Sequence, residues 1–337
     1  MKILVTGGLG FIGTNFIKYW IQNHPQDHIT NLDKITYAAN PKNLLDISTN
    51  YTFVKGDILD TELLDKIVPG TDLIVHFAAE SHVDRSIDDP QLFVKTNVLG
   101  TYTLLNAAKK HGNIRFHHIS TDEVFGSISL NSSDSFSEDT PYDPSSPYSA
   151  SKASSDHFVR SFGKTFSLPI TISNCSNNYG PYQHPEKLIP RMITNIIDGK
   201  KIPVYGKGEN FRDWIFVTDH CRAIEAIINN SVIGETYCVG GLKETSKNID
   251  LVKKVIAKMG KSEDQIEYVA DRPAHDNYAV NWDKISTKLG WEPKETLDSG
   301  IQKTIDWYIS NESWWRTSKL EAEAFYVKLN SYKNLNK

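Results

Sequence analysis

The stretch Ile3-Leu4-Val5-Thr6-Gly7-Gly8-Leu9-Gly10-Phe11-Ile12-Gly13 decides the fold of this chain. A short run rich in β-branched residues leads into spaced glycines, and apolar residues then recur at helical spacing through Ile21. This order predicts a strand, a glycine turn and a helix whose N-terminus faces a phosphate group. Gly7 permits the tight turn, Gly10 the close approach of a pyrophosphate, and Gly13 the packing of helix on strand.

A carboxylate follows the second predicted strand. Residues 28–32 form that strand, and Asp33 comes directly after it, about 20 residues beyond Gly13, the usual spacing for a residue that binds ribose. A carboxylate there accepts hydrogen bonds from both ribose hydroxyls and repels a 2′-phosphate, which favours NAD over NADP. The alternative roles for Asp33 are a helix cap and a solvated loop acid.

Composition places the chain among ordinary globular proteins. At 337 residues, 39% hydrophobic and 23% charged, it is long enough for one large α/β domain with a smaller appendage. A net charge of -4 without a basic cluster argues against a nucleic-acid surface. Cys175, Cys221 and Cys238 are too few and too widely spaced for a disulfide framework or a zinc site. We expect a soluble protein of the reducing cytoplasm, because the sequence contains neither a secretory signal nor an apolar membrane span.

Strand and helix patterns alternate up to about residue 173, which predicts an α/β fold with a Rossmann-type, doubly wound parallel sheet. Residues 168–173 are interpreted as its last strand, because prolines at 181, 185, 190 and 203 then interrupt the rhythm. The predicted units are a dinucleotide-binding domain over 1–175 rejoined by 215–232, a smaller α/β substrate-binding domain over 176–316, and a tail over 317–337. The second region is expected to supply strands near 203–205 and 235–239 and helices near 187–197, 248–259 and 298–308.

Chemistry-bearing residues follow the strand predicted over 114–119. Ser120-Thr121-Asp122-Glu123 comes at its C-terminal end, where open α/β sheets bind their ligands. Downstream, Tyr148 and Lys152 lie four residues apart on one face of a predicted helix. An ammonium favours the phenolate and lowers the pKa of the tyrosine, so that it can take a proton from a sugar hydroxyl. In the strand itself, His117 and His118 are interpreted as structural, and no constellation of residues indicates a metal site.

These motifs resemble a known family. The fingerprint over residues 6–13, with Tyr148 and Lys152, resembles the extended short-chain dehydrogenases/reductases. Within that family, five segments resemble the nucleotide-sugar 4,6-dehydratases, above all those acting on dTDP-glucose: Ala78-Ala79-Glu80-Ser81-His82-Val83-Asp84-Arg85-Ser86, Ser120-Thr121-Asp122-Glu123-Val124, Asn174-Cys175-Ser176-Asn177-Asn178-Tyr179-Gly180-Pro181-Tyr182, Glu186-Lys187-Leu188-Ile189-Pro190 and Arg212-Asp213-Trp214. The resemblance runs from Met1 to about Trp315 and leaves the tail outside it.

The resemblance implies a reaction and a role for each catalytic residue. NAD would oxidise C4 of a nucleotide-diphosphate hexose, water would leave across C5 and C6, and the hydride would return to C6, as in rhamnose-type deoxysugar biosynthesis. Tyr148 would be the C4 base with Lys152 as its partner, and Thr121 would hydrogen-bond near O4. Glu123 would remove the C5 proton, and Asp122 would protonate the departing hydroxyl. A homodimer through helices near 92–108 and 148–166 is also implied.

The implied binding residues form two sets. NAD would contact Gly7, Gly10, Phe11, Ile12, Gly13, Asp33, Lys34, Asp57, Ile58, Phe77, Ala78, Ala79, Thr96, Ser120, Tyr148, Lys152 and Asn174. The nucleotide sugar would contact Ser81, Asn177, Lys187, Leu188, Pro203, Tyr205, Arg212 and His275. The cations Lys187 and Arg212 suit the diphosphate, and the aromatic ring of Tyr205 suits the nucleobase. The structural alternatives are an ion pair between Arg212 and Asp213 and a place for Tyr205 in a hydrophobic core.

Two segments depart from the dTDP-glucose dehydratase pattern. Residues 238–244 read Cys-Val-Gly-Gly-Leu-Lys-Glu where the family usually has Asn-Ile-Gly-Gly-His-Asn-Glu, and residues 271–279, with Ala274 and Asn277, are one residue shorter and lack its second arginine. Both segments would face the nucleotide, so UDP-glucose and UDP-N-acetylglucosamine stay open as substrates, with or without C5 epimerisation. A 4-epimerase and a non-catalytic NAD-binding protein are further alternatives, neither of which explains the adjacent Asp122 and Glu123.

Overall fold

The computed structural model describes residues 1–130, 132–241, 245–271 and 276–335, with side chains up to Val327. The strands are β1 Lys2–Thr6, β2 His28–Asp33, β3 Tyr51–Lys55, β4 Leu73–His76, β5 Arg115–Thr121, β6 Ile170–Cys175, β7 Asn177–Tyr179, β8 Ile202–Tyr205, β9 Phe211–Arg212, β10 Trp214–Phe216, β11 Thr236–Val239, β12 Ser246–Lys247 and β13 Ile266–Val269.

The helices are α1 Phe11–Asn23, α2 Thr61–Ile67, α3 Val83–Asp88, α4 Pro90–Phe93, α5 Gly100–Lys110, α6 Pro147–Phe166, α7 Leu188–Ile197, α8 Val217–Asn230, α9 Asn248–Lys258, α10 Asp283–Leu289, α11 Leu297–Ser310 and α12 Glu312–Leu335. Short 3₁₀ turns cover Pro41–Leu44, Asp122–Phe125 and Glu263–Gln265, and a π-helical segment, Val94–Leu99, joins α4 to α5. The helices predicted in the second region are confirmed within one or two residues.

In the described part of the chain, seven strands form one parallel sheet in the order β11-β6-β5-β4-β1-β2-β3. Apolar residues fill the middle of the central strands, and Leu4, Val5 and Ile74 are fully buried because helices cover both faces. The Rossmann-type prediction is therefore confirmed. The order reverses beside β1, so the glycine turn lies at the switch point, where such sheets bind ligands.

The prediction that residues 168–173 form the last strand of the sheet was wrong, because β11 lies beyond it. Strand β11 hydrogen-bonds in parallel to β6, from Thr236 beside Ile172 to Val239 beside Cys175, so the strand expected near 235–239 belongs to this sheet. Helix α8 leads the chain back, and its Cys221 shares a core with Trp20 of α1. Some 60 residues interrupted by prolines separate β11 from β6, so no local sequence pattern assigns β11 to this sheet. The predicted alternation of strands and helices therefore ended at β6.

The second region has its own core. Helices α7, α9 and α11 pack around the parallel pair β8 and β13, and Trp315 of α12 is fully buried against them. The small pairs β7–β10 and β9–β12 lie between this core and the sheet. A cleft opens there, at the C-terminal edge of the sheet. The domain boundaries at 175 and 316 stay predictions. Among the described residues, we find no helix with the length and apolar character to cross a membrane.

Candidate active site

The glycine turn has the close contacts that its sequence predicts. Gly7 has a φ of +74°, and a Cβ there would lie 2.6 Å from the backbone nitrogen of Ala78, two residues after the end of β4. At Gly13 a Cβ would lie 2.4 Å from the carbonyl oxygen of Gly7. Larger residues would push the turn and α1 apart, so this edge stays open for a ligand only with glycine at both positions.

Asp33 ends β2 beside the glycine turn. Its carboxylate accepts the backbone N–H of Leu9 at 2.9 Å and that of Ile35 at 2.8 Å. Burial raises the pKa of Asp33, while these two hydrogen bonds oppose the rise. Next to it, Lys34 pairs with Asp57 at 2.7 Å. The carboxylate is thus fixed in orientation, and its spare lone pairs suit the two hydroxyls of a ribose.

The acidic pair sits in the 3₁₀ turn that follows β5. The Thr121 hydroxyl accepts the backbone N–H of Glu123 at 3.3 Å and donates to Asp122 Oδ1 at 3.2 Å. Asp122 is 1% exposed, and its Oδ2 has no hydrogen-bond partner within the described residues. Burial raises the pKa of Asp122 well above its usual range, and the nearby charges of Glu123 and Asp213 add to the rise. This environment favours the protonated form of Asp122.

Tyr148 and Lys152 project from the first turns of α6, which Ser146 caps through the N–H of Ser149. The Lys152 ammonium donates to the Ile119 carbonyl at 2.7 Å, and burial lowers its pKa to about 8. For Tyr148, burial raises the pKa well above its usual range, followed by the charge of Glu123. In the ligand-free protein the pKa of Tyr148 is thus raised, because desolvation of the phenolate dominates, and the lowering expected from Lys152 with a bound nicotinamide stays a prediction.

One cleft of about 450 Å³ brings the predicted groups together. In the described part of the chain, it is lined by all the expected cofactor residues except Asn174 and all the expected substrate residues except His275, which lies outside that part. Thr121, Glu123, Tyr148 and Lys152 line it as well.

Asn174 and Asp122 lie behind the cleft wall. The Asn174 amide donates to the Thr121 carbonyl at 3.1 Å and to Asp156 at 3.2 Å, so it ties β6 to β5 and α6. Its side chain is fully buried, because neighbouring residues of a strand point to opposite faces of the sheet. Asn174 does not line the cleft, and its expected cofactor contact stays a prediction. Asp122 does not line the cleft, whereas its neighbour Glu123, which is partly exposed, does.

On the far side of the cleft, some of the residues expected to face the nucleotide line the cleft, and others point away from it. Lys187 donates to the Ser81 carbonyl at 2.8 Å, and the Arg212 guanidinium lies 4.7 Å from the centre of the Tyr278 ring. Asn277 instead points inward, accepting the N–H of Phe211 at 3.1 Å and donating to the Ile128 carbonyl. The expectation that Asn277 faces the nucleotide is wrong, whereas Lys243 and Ala274 lie outside the described residues.

The sequence prediction missed the contribution of the tail to the cleft. Tyr326 of α12 lines it, with its hydroxyl 3.2 Å from His82 Nε2 and 3.3 Å from Asp84 Oδ2, and the Arg191 guanidinium lies 4.6 Å from its ring centre. A signal was present, because the inward residues of α12 recur at helical spacing: Trp315, Lys319, Ala322 and Tyr326.

Arg85 forms a neighbouring cluster. It pairs with the buried Glu186 at 3.0 Å, and its guanidinium lies between the rings of Tyr37 and Phe325, at 3.7 Å and 4.1 Å from their centres. Tyr37, Glu186 and Arg191 also line the cleft and had no motif to mark them. No group of three or more His, Cys, Asp or Glu residues in the described ranges is arranged to hold a metal ion.

The parallel sheet, the glycine turn and the Tyr148–Lys152 helix define an extended short-chain dehydrogenase/reductase. More specifically, the family model described as GDP-mannose 4,6 dehydratase matches residues 4–304, and the chain belongs to that family.

Several proteins similar to this chain are named dTDP-glucose 4,6-dehydratase, and other similar structures are nucleotide-sugar epimerases. A dTDP-glucose 4,6-dehydratase of Escherichia coli is 49% identical over 98% of this chain and 99% of that protein. The crystal structure of DesIV, a dTDP-glucose 4,6-dehydratase of Streptomyces venezuelae with NAD and TYD bound, is 44% identical, has a TM-score of 0.91 and covers 94% of this chain and 100% of that one. A Bacillus anthracis dTDP-glucose 4,6-dehydratase in complex with NAD is 46% identical, with a TM-score of 0.88 and coverage of 94% and 99%.

Proposed function

We propose that this protein is an NAD-dependent dTDP-glucose 4,6-dehydratase, a hydro-lyase that makes the 4-keto-6-deoxy sugar for deoxysugar biosynthesis in the cytoplasm. The observation that carries the proposal is the acidic pair in the turn after β5, where a protonated Asp122 stands behind Glu123 and beside Tyr148. The near full-length similarity to enzymes of this name supports it.

The cleft has the groups that NAD requires. The glycine turn leaves room for the pyrophosphate at the start of α1, and the oriented Asp33 carboxylate suits the adenosine ribose. The cleft that contains Tyr148 is also lined by Phe77 and Ala78, which follow β4, and by Thr96. When bound, NAD takes a hydride from C4 of the sugar and gives it back at C6.

The side chains of this protein move the protons. Tyr148 takes the proton of the C4 hydroxyl, and the positive charge of Lys152, four residues further along α6, favours its phenolate against the effect of burial. The resulting ketone acidifies the C5 proton, and Glu123 removes it. Asp122 enters this step protonated, and its unpartnered Oδ2 donates the proton that the C6 hydroxyl needs to leave as water.

Residues on both sides of the cleft hold the substrate. Ser81 and Asn177 lie near the catalytic turn and bind the hexose, while Lys187 and Arg212 bind the diphosphate. Tyr205 and Pro203, at the end of β8, contact the nucleobase. Residues 1–175 with 215–232 would then form the cofactor half and 176–316 the substrate half.

A homodimer is part of the proposal. Exposed apolar side chains cluster on one surface formed by α4, the π-helical segment, α5 and α6: Leu92, Val94, Leu99, Tyr102, Phe158 and Phe166. The rings of Tyr102 and Phe158 contact across the two helices, 5.8 Å between centres, which joins the exposed apolar side chains of α5 to those of α6. A second copy of the chain that supplies the same two helices would cover it.

Turnover of defined substrates tests the function. The purified protein is incubated separately with dTDP-glucose, UDP-glucose and UDP-N-acetylglucosamine, and products are identified by NMR. We expect a 4-keto-6-deoxy product from dTDP-glucose above all, and loss of turnover with bound NAD retained in Asp122→Asn and Glu123→Gln. Asp139→Asn, on the exposed loop that follows, is the matched control. Absence of water loss from all three sugars would refute the function.

A further inference from the structure

A chain of three buried titratable side chains runs behind Lys152, away from the cleft. His118 Nε2 lies 3.3 Å from Lys152 Nζ and 3.2 Å from Asp156 Oδ1. Both His118 and Asp156 are completely buried, and Lys152 is 5% exposed. Neither residue contacts the cleft, so the proton transfers proposed above do not use them.

Asp156 is held as a carboxylate by its hydrogen-bond partners. Its Oδ2 accepts from the Ser120 hydroxyl at 2.9 Å, the Tyr142 hydroxyl at 2.7 Å and the Asn174 amide at 3.2 Å. The Tyr142 oxygen in turn accepts from Arg160 at 2.7 Å, which leaves its proton for Asp156. Three donors on one oxygen satisfy an ionised carboxyl and leave no acceptor for a proton at that position.

His118 connects this charge to Lys152. An ammonium only donates and a carboxylate only accepts, so Nε2 is either the acceptor for Lys152 or the donor to Asp156. The same ring nitrogen lies within 3.3 Å of both charged groups, so the tautomer of His118 depends on the charge on each side. Burial alone disfavours the ammonium, and the charge of Asp156 is the largest influence in the opposite direction.

The other titratable groups around Lys152 differ in kind from Asp156. Cys175 of β6 acts on the pKa of Lys152, and, besides burial, the charge of Lys152 in turn lowers the pKa of His76 of β4 and of His118 of β5. Tyr148 of its own helix and Glu123 of the turn after β5 line the same cleft as Lys152. Burial lowers the pKa of His76 and raises the pKa values of Cys175 and Asp122, which favours the neutral form of each. Glu123 acts on Tyr148, on the cleft side.

We infer that Asp156, acting through His118, is the buried counter-charge that keeps Lys152 an ammonium beside Tyr148. Both are positioning residues, since neither touches the substrate or the cofactor. The inference rests on the proposed function, in which the ammonium supports the C4 base. Without Asp156, a neutral amine would be the favoured state in this dry site, and Tyr148 would lose its positive neighbour at working pH.

The direct test is a titration of Lys152 itself. The holoenzyme is labelled with ¹³C at the lysine ε carbon, and the Lys152 signal is assigned by its disappearance in Lys152→Met. In Asp156→Asn we expect the titration midpoint to fall by about one pH unit or more. His118→Gln, which interrupts the link at its centre, should lower the midpoint too and serves if Asp156→Asn does not fold. Tyr142→Phe keeps the charge and removes one hydrogen bond, so its midpoint should stay at the wild-type value.

The kinetic consequence separates this role from a structural one. The high-pH limb of kcat should move to lower pH in Asp156→Asn and stay in place in Tyr142→Phe. An unchanged midpoint and an unchanged limb in Asp156→Asn, even with kcat reduced at all pH values, would overturn the inference. The titration needs no turnover, so a shifted midpoint in a protein that dehydrates no sugar would instead locate the failure in the proposed function.

Discussion

Burial controls the protonation of the acidic residues behind the cleft. Asp122 and Asp213 are both almost inaccessible to solvent, and burial is the main reason that the pKa of each is raised. Adjacent carboxyls could also have been two solvated loop acids, and the sequence alone did not distinguish these states. The structure does so because the 3₁₀ turn directs Asp122 inward and Glu123 toward the cleft.

Asp213 provides a stability prediction at this scale. Burial raises its pKa to about 7 from 3.8, while the N–H of Gly241 opposes the rise. The folded protein thus holds a proton that the unfolded chain releases, so the stabilisation from this group is complete below pH 4 and is lost as pH rises through 7. Asp213→Asn should remove this dependence. Its free energy of unfolding, relative to wild type, should rise by roughly 2–4 kcal/mol between pH 4 and pH 7.5.

Chemical denaturation of holoenzyme across that pH range measures the difference. Asp139→Asn, which removes an exposed carboxyl in place of the buried one, is the matched control. A difference between Asp213→Asn and wild type that stays constant from pH 4 to pH 7.5 would contradict the raised pKa of Asp213.

At the scale of elements, local patterns were predictable and long-range contacts were not. The glycine turn and the Tyr148–Lys152 pair each lie within one supersecondary unit, so their geometry follows from residue types and their spacing along the chain. Strand β11 and the inward turn of Asn277 depend on partners far away in the chain, such as β6 and Phe211. Sequence periodicity carries no information on such pairings.

Helix α12 gives the tail a structural role in the cleft. Lys319 pairs with Asp198 at 2.6 Å, which anchors the helix at the end of α7. About two turns further along α12, Phe325 contacts Arg85 and Tyr326 contacts Asp84, both of which belong to α3. The helix therefore bridges the two walls.

Removal of the Tyr326 ring should weaken substrate binding more than catalysis. In Tyr326→Ala, Arg191 and Asp84 lose a partner at the cleft wall, and we expect KM for the nucleotide sugar to rise roughly tenfold, equivalent to about 1.4 kcal/mol, with a smaller change in kcat. Val327→Ala is the control, because Val327 neighbours Tyr326 and is 71% exposed. Equal KM values in the two variants would contradict a role for Tyr326 in this wall.

At the scale of the whole molecule, the exposed apolar surface on α5 and α6 predicts that two copies of the chain form a dimer. Val94 and Leu99 are 56% and 49% exposed, and Leu99→Glu would place a charge in the centre of the proposed dimer contact. Light scattering should give twice the chain mass of 38.1 kDa for wild type and the single mass for the variant. Val232→Glu, an exposed apolar position outside this surface, should leave the dimer intact. A wild-type mass of 38.1 kDa would disprove the dimer.

The fate of the C4 hydrogen tests the central claim most directly. The protein is incubated with dTDP-glucose carrying deuterium at C4, and the position of the label in the product is determined by NMR and mass spectrometry. A dehydratase that uses Tyr148, Glu123 and Asp122 as described transfers the label to the C6 methyl group of a 4-keto-6-deoxy product. A label that returns to C4 in a sugar with its C6 hydroxyl intact would mean epimerisation, and would contradict the account.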